Sequence, residues 1–538
     1  MSRWLLSVLG LGCNEVPPAG VRPLDSVAVA ETLVPLPGPR LLRRLSLDLT
    51  GRLPSVAALD DAEAESEAWR TWREIWLSDP RFEEHLVHLL GERWLTRVDE
   101  FDVDHTDFGL PDSAEYTYER DIGEEPLRLI ARIASTDAAW SEVVTASYTV
   151  ATPQLASMWP LSCPEGEGWQ ECVYTDGRPV AGVLSTNGLW WRYTTTPTNL
   201  NRGRVAAMVK LLVCEDILLR RVSFADVPSL LDVDAAADAI RNEPACQACH
   251  AEVDPAGAAL MGFYWTVMYS RVEHSVYHPE REYLAESLLG VSPAWYGTPV
   301  SGLGELGEAI AADPRFNPCA VRSFAELYWR RPAVEADEER LAALAEGWDG
   351  RVKSLIRQIS ESPEYQAGDR TDPATEAALV RMMSPIQLAD TIEELTGFRW
   401  TWEGVDRLDE DQSGYRLLAG GVDGDSSVIA QRDPGLTWAL VVKRLAEAAA
   451  ANVVAVDLVA GQQQRLLREV SLGDLPGTPA FESQLRSLAW QLYAERIDAE
   501  EVGELSAQWS TFYAVSDPAT AWTALLSVML RDTRMVSY

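Results

Sequence analysis

Positive charge is what this chain has least of. Lys and Arg total 46 against 82 Asp and Glu, a formal net charge of −36. Such a surface repels nucleic-acid phosphates and anionic lipid headgroups, which excludes both as main partners. Long apolar runs are missing too. Beyond the N-terminus no run of about 18 apolar residues occurs, so no internal transmembrane helix is expected. There is no Gly-rich phosphate loop, no Gly-x-Ser-x-Gly elbow and no His-Glu-x-x-His, so nucleotide, hydrolase and zinc-protease chemistry go unsignalled. Strand-like patches are few, residues 147–150 and 189–194 being the candidates. Cysteine numbers only seven, with a single Cys-x-x-Cys.

What is present is helix. At 538 residues the chain exceeds one ordinary core, so at least two domains are expected. Hydrophobic residues at 47% and charged residues at 24% give a globular composition. Trp69, Trp72 and Trp76 are spaced for helix packing, as are Phe82, Leu86, Leu89, Leu90 and Trp94. Residues 41–51 read as a helix stopped by Gly51. Residues 387–397 have the same length and the same Leu-Thr-Gly ending. A later helix pair, 324–331 with 355–363, has a counterpart in 488–496 with 525–532. These matches predict a mainly α fold of two related helical lobes, an internal repeat, with few short strands. The lobes span 13–366 and 385–538, joined by a linker at 367–384 rich in Asp, Thr and Pro.

Residues 1–12 carry one Arg, a short apolar run and small residues ahead of Cys13. This is the form of a lipoprotein signal, with Cys13 as the lipidated residue; a plain export signal is the alternative. Export to the periplasm, the outer membrane or the cell surface is expected, with membrane contact only through the lipid anchor. Cys163 and Cys172 flank a loop suited to a disulfide in an oxidising compartment. Cys214 and Cys319 remain, to pair or to stay as buried thiols.

The chemistry lies in Cys246-Gln247-Ala248-Cys249-His250, within a segment of about 240–280. Two thiols three residues apart reach the vinyl groups of one porphyrin as thioethers, and the adjacent imidazole sits under the iron. One covalent haem c is the cofactor expected, with His250 as proximal ligand. Two rivals use the same residues. A structural zinc site needs a second ligand pair, and no second Cys-x-x-Cys exists. A thioredoxin-like pair needs a βαβ setting, and none surrounds it. Residues 251–257 read as a turn, with a helix from Ala258 to about Tyr269. Met261 and Met268 share a face of that helix and are the distal-ligand candidates; both are equally core-facing. His85 and His88, three apart on a helix, read as two partly exposed histidines or as a shared metal pair.

These residues together resemble a group of large exported proteins of planctomycetes and myxobacteria, built from domains of unknown function with a planctomycete-type cytochrome c segment. The resemblance rests on residues 40–54, Asp79-Pro80-Arg81-Phe82, residues 146–150, Asn201-Arg202-Gly203 and Arg330-Arg331-Pro332. It rests most on Cys249-His250 followed by Asp254-Pro255-Ala256-Gly257, similar to that group's haem segment. Ala258 stands where an aromatic is frequent, and Met261 where an acidic residue is. The resemblance implies export and haem binding and no particular substrate. The expected role is electron transfer at the cell envelope, with a redox protein partner or self-assembly. The alternatives are a haem oxidoreductase or peroxidase-like enzyme with an open sixth site, and a cell-surface structural or interaction protein.

Overall fold

Helix accounts for 59% of the computed structural model and strand for 6%, so the fold is mainly α. It describes residues 32–98, 101, 103–220, 232–264, 271–373, 375, 377–409, 414–459 and 462–538. Cys13 and Met268 lie outside the described residues.

The first helix, α1 (Gly38–Thr50), begins at Pro37-Gly38-Pro39, which supplies few of the N–H groups a helix start leaves unpaired. It ends at Gly51, whose φ of 71° suits glycine and whose N–H bonds Leu47 O. Residues 41–50 are all buried, including Arg43, Arg44 and Asp48. A buried charge must find partners, and these do. Arg43 donates to the carbonyls of Ser537 (2.7 Å) and Met535 (2.6 Å). Arg44 donates to those of Tyr365 and Ala367, both at 2.7 Å. Asp48 accepts from Arg381 (2.6 Å) and from the Tyr538 hydroxyl (2.7 Å).

Helix α2 (Pro80–Trp94) is capped by Asp79, which accepts the Arg81 N–H at 2.9 Å. Its buried face holds Phe82, Leu86, Leu89, Leu90 and Trp94. It lies along α3 (Glu115–Ser135), which contains Pro126. Proline has no N–H to offer the Ile122 carbonyl one turn back. Gly188, in α4 (Asn187–Arg192), approaches that carbonyl so closely that a Cβ there would sit 2.0 Å from it. Residues 189–192 are thus helical, not the strand expected over 189–194. Leu189, Trp190 and Trp191 are buried, and an apolar run enclosed on all sides shows neither period.

Helices α5 (Arg202–Val213) and α6 (Pro244–Ala258) pack together, and α5 also meets α7 (Phe316–Trp329). The turn expected over 251–257 is instead the last half of α6, which runs through Pro255. Contacts across α5 and α6 override the local breaker: Gly257 O accepts from Asn201 Nδ2 at 3.2 Å, and Arg202 binds Asp254. Of the helix expected from Ala258 to about Tyr269, the described part is a short 3-10 turn over Met261–Phe263; residues 265–270 lie outside the described residues. The C-terminal part contains α8 (Pro385–Thr396), α9 (Leu436–Asp457), α10 (Pro479–Tyr493), α11 (Ala499–Tyr513) and α12 (Pro518–Met529). Like α1, α8 stops at a left-handed glycine, Gly397 at φ 70°.

Strands are short. β2 (Thr149–Ala151) and β3 (Leu161–Ser162) flank β4 (Gln170–Tyr174), all antiparallel, with Thr149 opposite Cys172. Separately, β1 (Leu33–Pro35) pairs antiparallel with β5 (Ala367–Arg370). One hydrophobic cluster draws on residues between Leu36 and Tyr365 plus Trp490 and Ala494. A second draws on residues between Met382 and Tyr538 plus Leu47. Helix α1 therefore contributes to both.

Replacing Asp48 strands the fully buried Arg381 guanidinium. Asp48→Ala is expected to lower unfolding stability by about 3–5 kcal/mol, read from the midpoint of a urea titration.

Candidate functional site

Helix α6 sets the spacing of the motif. Cys246, Cys249 and His250 stand at i, i+3 and i+4, so one helical face carries both sulfurs and the imidazole. Cys246 is buried, Cys249 and His250 are half-buried, and both thiols are free. Pro244 at the start of the helix fixes its entry ahead of the motif.

The histidine is oriented from below. His250 Nδ1 lies 3.1 Å from Asp254 Oδ1, one turn further along α6. Asp254 in turn receives a two-pronged grip from Arg202, Nε at 2.6 Å and Nη2 at 3.0 Å. Burial alone would raise the Asp254 carboxyl, but the hydrogen bonds from His250 and Arg202 outweigh it and hold the group below its ordinary range. A carboxylate only accepts, so Nδ1–H is the donor in this contact.

On the other side, Cys249, His250 and Val253 form part of the wall of a cavity of about 650 Å³. Apolar wall comes from Leu95, Ala206, Ala207, Leu211 and Ile217. Four basic residues also line it: Arg93, Arg192, Arg202 and Lys210. Asp216 lines it as well, so the wall holds four basic residues to one acid in a chain of net charge −36. All four basic side chains are engaged: Arg93 with Glu326 (3.1 Å), Lys210 with Asp216 (3.0 Å), Arg202 with Asp254 (2.6 Å), and Arg192 with the Leu95 and Gly424 carbonyls. The cavity combines apolar and basic wall and has the volume of a small-molecule or cofactor site.

Met261 is not in this wall. It is fully buried, its sulfur 3.9 Å from Asn201 Nδ2, and it packs with Ala258, Tyr264 and Ala285. His85 is buried with neither ring nitrogen hydrogen-bonded, which corrects the expectation of two partly exposed histidines. His88 Nδ1 lies 3.3 Å from Arg97 Nη1. Among the described residues no group of three or more His, Cys, Asp and Glu side chains gathers as a metal site.

Cys163 is bonded to Cys172, stapling the end of β3 to β4. Cys214, at the C-terminus of α5, is bonded to Cys319 on α7. The second disulfide fixes α5, one wall of the cavity, to the helix behind it.

Sequence reasoning missed Arg202 and Asp254 as parts of the site. The signal for Asp254 was its i+4 distance from His250, the spacing of neighbours on a helix, hidden by reading 251–257 as a turn. No protein-family model, curated protein or solved structure matches the chain.

The two disulfides close loops of very different length, 105 and 9 residues in separation. In the chain-entropy account, Cys214→Ala/Cys319→Ala should cost about 4 to 5 kcal/mol and Cys163→Ala/Cys172→Ala about 2 to 3. Chemical denaturation of the two double variants checks both the size and the order.

Proposed function

We propose that this chain is an exported monohaem c-type cytochrome, working in electron transfer at the cell envelope. The observation that carries the reading is the cavity: His250 and Cys249 open into an apolar slot of about 650 Å³ set about with arginine and lysine. A haem is a flat apolar ring bearing two carboxylates, and these walls offer apolar surface for the ring and cations for the acids. Cys246 and Cys249 would hold it through thioethers, and His250 would present Nε2 to the iron. Bound there, the haem would supply a one-electron couple. The protein's own part is to orient the imidazole through Asp254, to exclude water with Leu211, Ile217 and Val253, and to balance the carboxylates. Zinc finds less support, because a structural zinc site needs a second ligand pair and the sequence holds no second Cys-x-x-Cys. The two disulfides suit an oxidising compartment, and so an exported chain. No helix among the described residues is long and apolar enough to cross a membrane; the lipoprotein-like segment ahead of Cys13 is what supports a lipid anchor there. The partner would be a redox protein or further copies of the chain.

A second reading has its own observation. Among the described residues lining the cavity there is no methionine and no histidine besides His250. An open sixth position, and with it a haem oxidoreductase or peroxidase-like enzyme, fits that wall.

Two experiments test these readings. Produced alongside a cytochrome c maturation system, the wild-type chain should keep its colour through extraction with acidified acetone. Cys246→Ala/Cys249→Ala should lose it; colour retained by the double variant would sink the thioether assignment. In the native protein, a high-spin ferric spectrum that shifts on adding cyanide would favour the enzyme. A low-spin spectrum indifferent to cyanide would favour electron transfer.

A further inference from the structure

We propose that Asp254, gripped by Arg202, is the positioning residue that fixes the tautomer of His250 and holds the redox potential of the site low. This rests on the haem reading above. The geometry is a three-member chain: Arg202 on α5, Asp254 and His250 on α6. The Asp254 side chain is 5% exposed and that of His250 26%. Oδ1 of Asp254 faces both Arg202 Nε, at 2.6 Å, and His250 Nδ1, at 3.1 Å. Oδ2 is taken by Arg202 Nη2 at 3.0 Å, so the carboxylate is pinned at both oxygens and cannot swing away from the ring.

Two consequences follow from elementary chemistry. The carboxylate accepts the Nδ1 proton, which leaves Nε2 with its lone pair free to act as the iron ligand. In solution a neutral imidazole prefers its proton on Nε2, the wrong atom for this arrangement, so Asp254 preorganises the ligand. The hydrogen bond to an anion also draws the Nδ1 proton away from the ring and makes Nε2 a stronger electron donor. A stronger donor stabilises ferric over ferrous iron, which lowers the potential. Arg202 shares the carboxylate's charge and so tempers the effect, while its forked grip keeps the geometry. The site is thus built for the low-potential end of its range, and its partner class is a reductant at least as strong. A carboxylate merely stapling α5 to α6 would have no such electronic effect.

The test uses the full chain with haem attached, each sample first shown to carry covalent haem by its pyridine haemochrome. Asp254→Asn keeps the shape and an acceptor but removes the charge. The expected result is a higher midpoint potential, by a roughly tenfold or greater loss of ferric preference, about 59 mV for one electron. Asp254→Ala should raise it at least as far. A loaded Asp254→Asn protein with the wild-type potential would overturn the proposal, and with it any role for Asp254 beyond the staple. Should the variants fail to take up haem, the haem-free wild type still decides. Its nitrogen-15 spectrum in mildly alkaline buffer should show His250 protonated on Nδ1, with Asp254→Ala returning it to Nε2. An Nε2 proton on wild-type His250 would overturn the proposal. Wild-type chain that takes up no haem at all would instead overturn the cytochrome reading, and the potential claim would fall with it.

Discussion

A helix with no solvent-facing side must provide for every charge it carries, and α1 carries three within residues 41–50. Arg43 and Arg44 end on backbone carbonyls, and Asp48 ends on Arg381 and Tyr538. These partners lie between 321 and 494 positions away, the most distant at the C-terminus. The molecule therefore closes its last residues onto α1, and both hydrophobic clusters lean on that contact. Further polar bridges repeat the idea: Arg97 reaches Asp409 at 2.9 Å, and Glu92 meets both Arg330 and Arg432 at 3.3 Å. Pairings across so much chain are slow to find, and removing one member leaves a bare charge behind.

The candidate site inherits its rigidity from this frame. Helix α1 packs on α2, α2 along α3, and α3 against α4. The ends of α2 and α4 deliver Arg93, Leu95, Arg192 and Tyr193 to one side of the cavity; α5 and α6 supply the other. Every wall thus hangs on an element held by the core, and α5 is tied a second time through the Cys214–Cys319 bond. Within that frame α6 does the chemical placement. A continuous helix puts two sulfurs and an imidazole on one face, and the next turn supplies the carboxylate that aims the imidazole. A turn after His250 would have taken Asp254 out of reach.

How much of this was legible in the sequence follows from where the information sits. Helical period reports local burial, so the faces of α1 and α2 were readable, and Gly51 marked a true end. Residues 189–192 misled because Trp190 and Trp191 are buried all round. Residues 251–257 misled because Asp-Pro-Ala-Gly is a local breaker, here overruled by Arg202 and Asn201 from another helix. The pairing of Cys214 with Cys319 spans 105 positions, and nothing near either residue distinguishes a bonded sulfur from a buried thiol. The cavity was least visible of all. Its four basic residues come from α2, α4 and α5, and each alone looks like ordinary surface charge. The cysteine-histidine motif, by contrast, is local chemistry at fixed spacing, and it needed no fold to be noticed.

The central claim is that Cys246, Cys249 and His250 together take a haem. The most direct measurement is a pyridine haemochrome spectrum of the denatured chain, made in a host that matures c-type cytochromes. The account predicts a c-type band that stays with the polypeptide at one haem per chain. A correctly folded chain without any haem would contradict it, and would leave Cys246 and Cys249 an ordinary thiol pair beside a cavity built for something else.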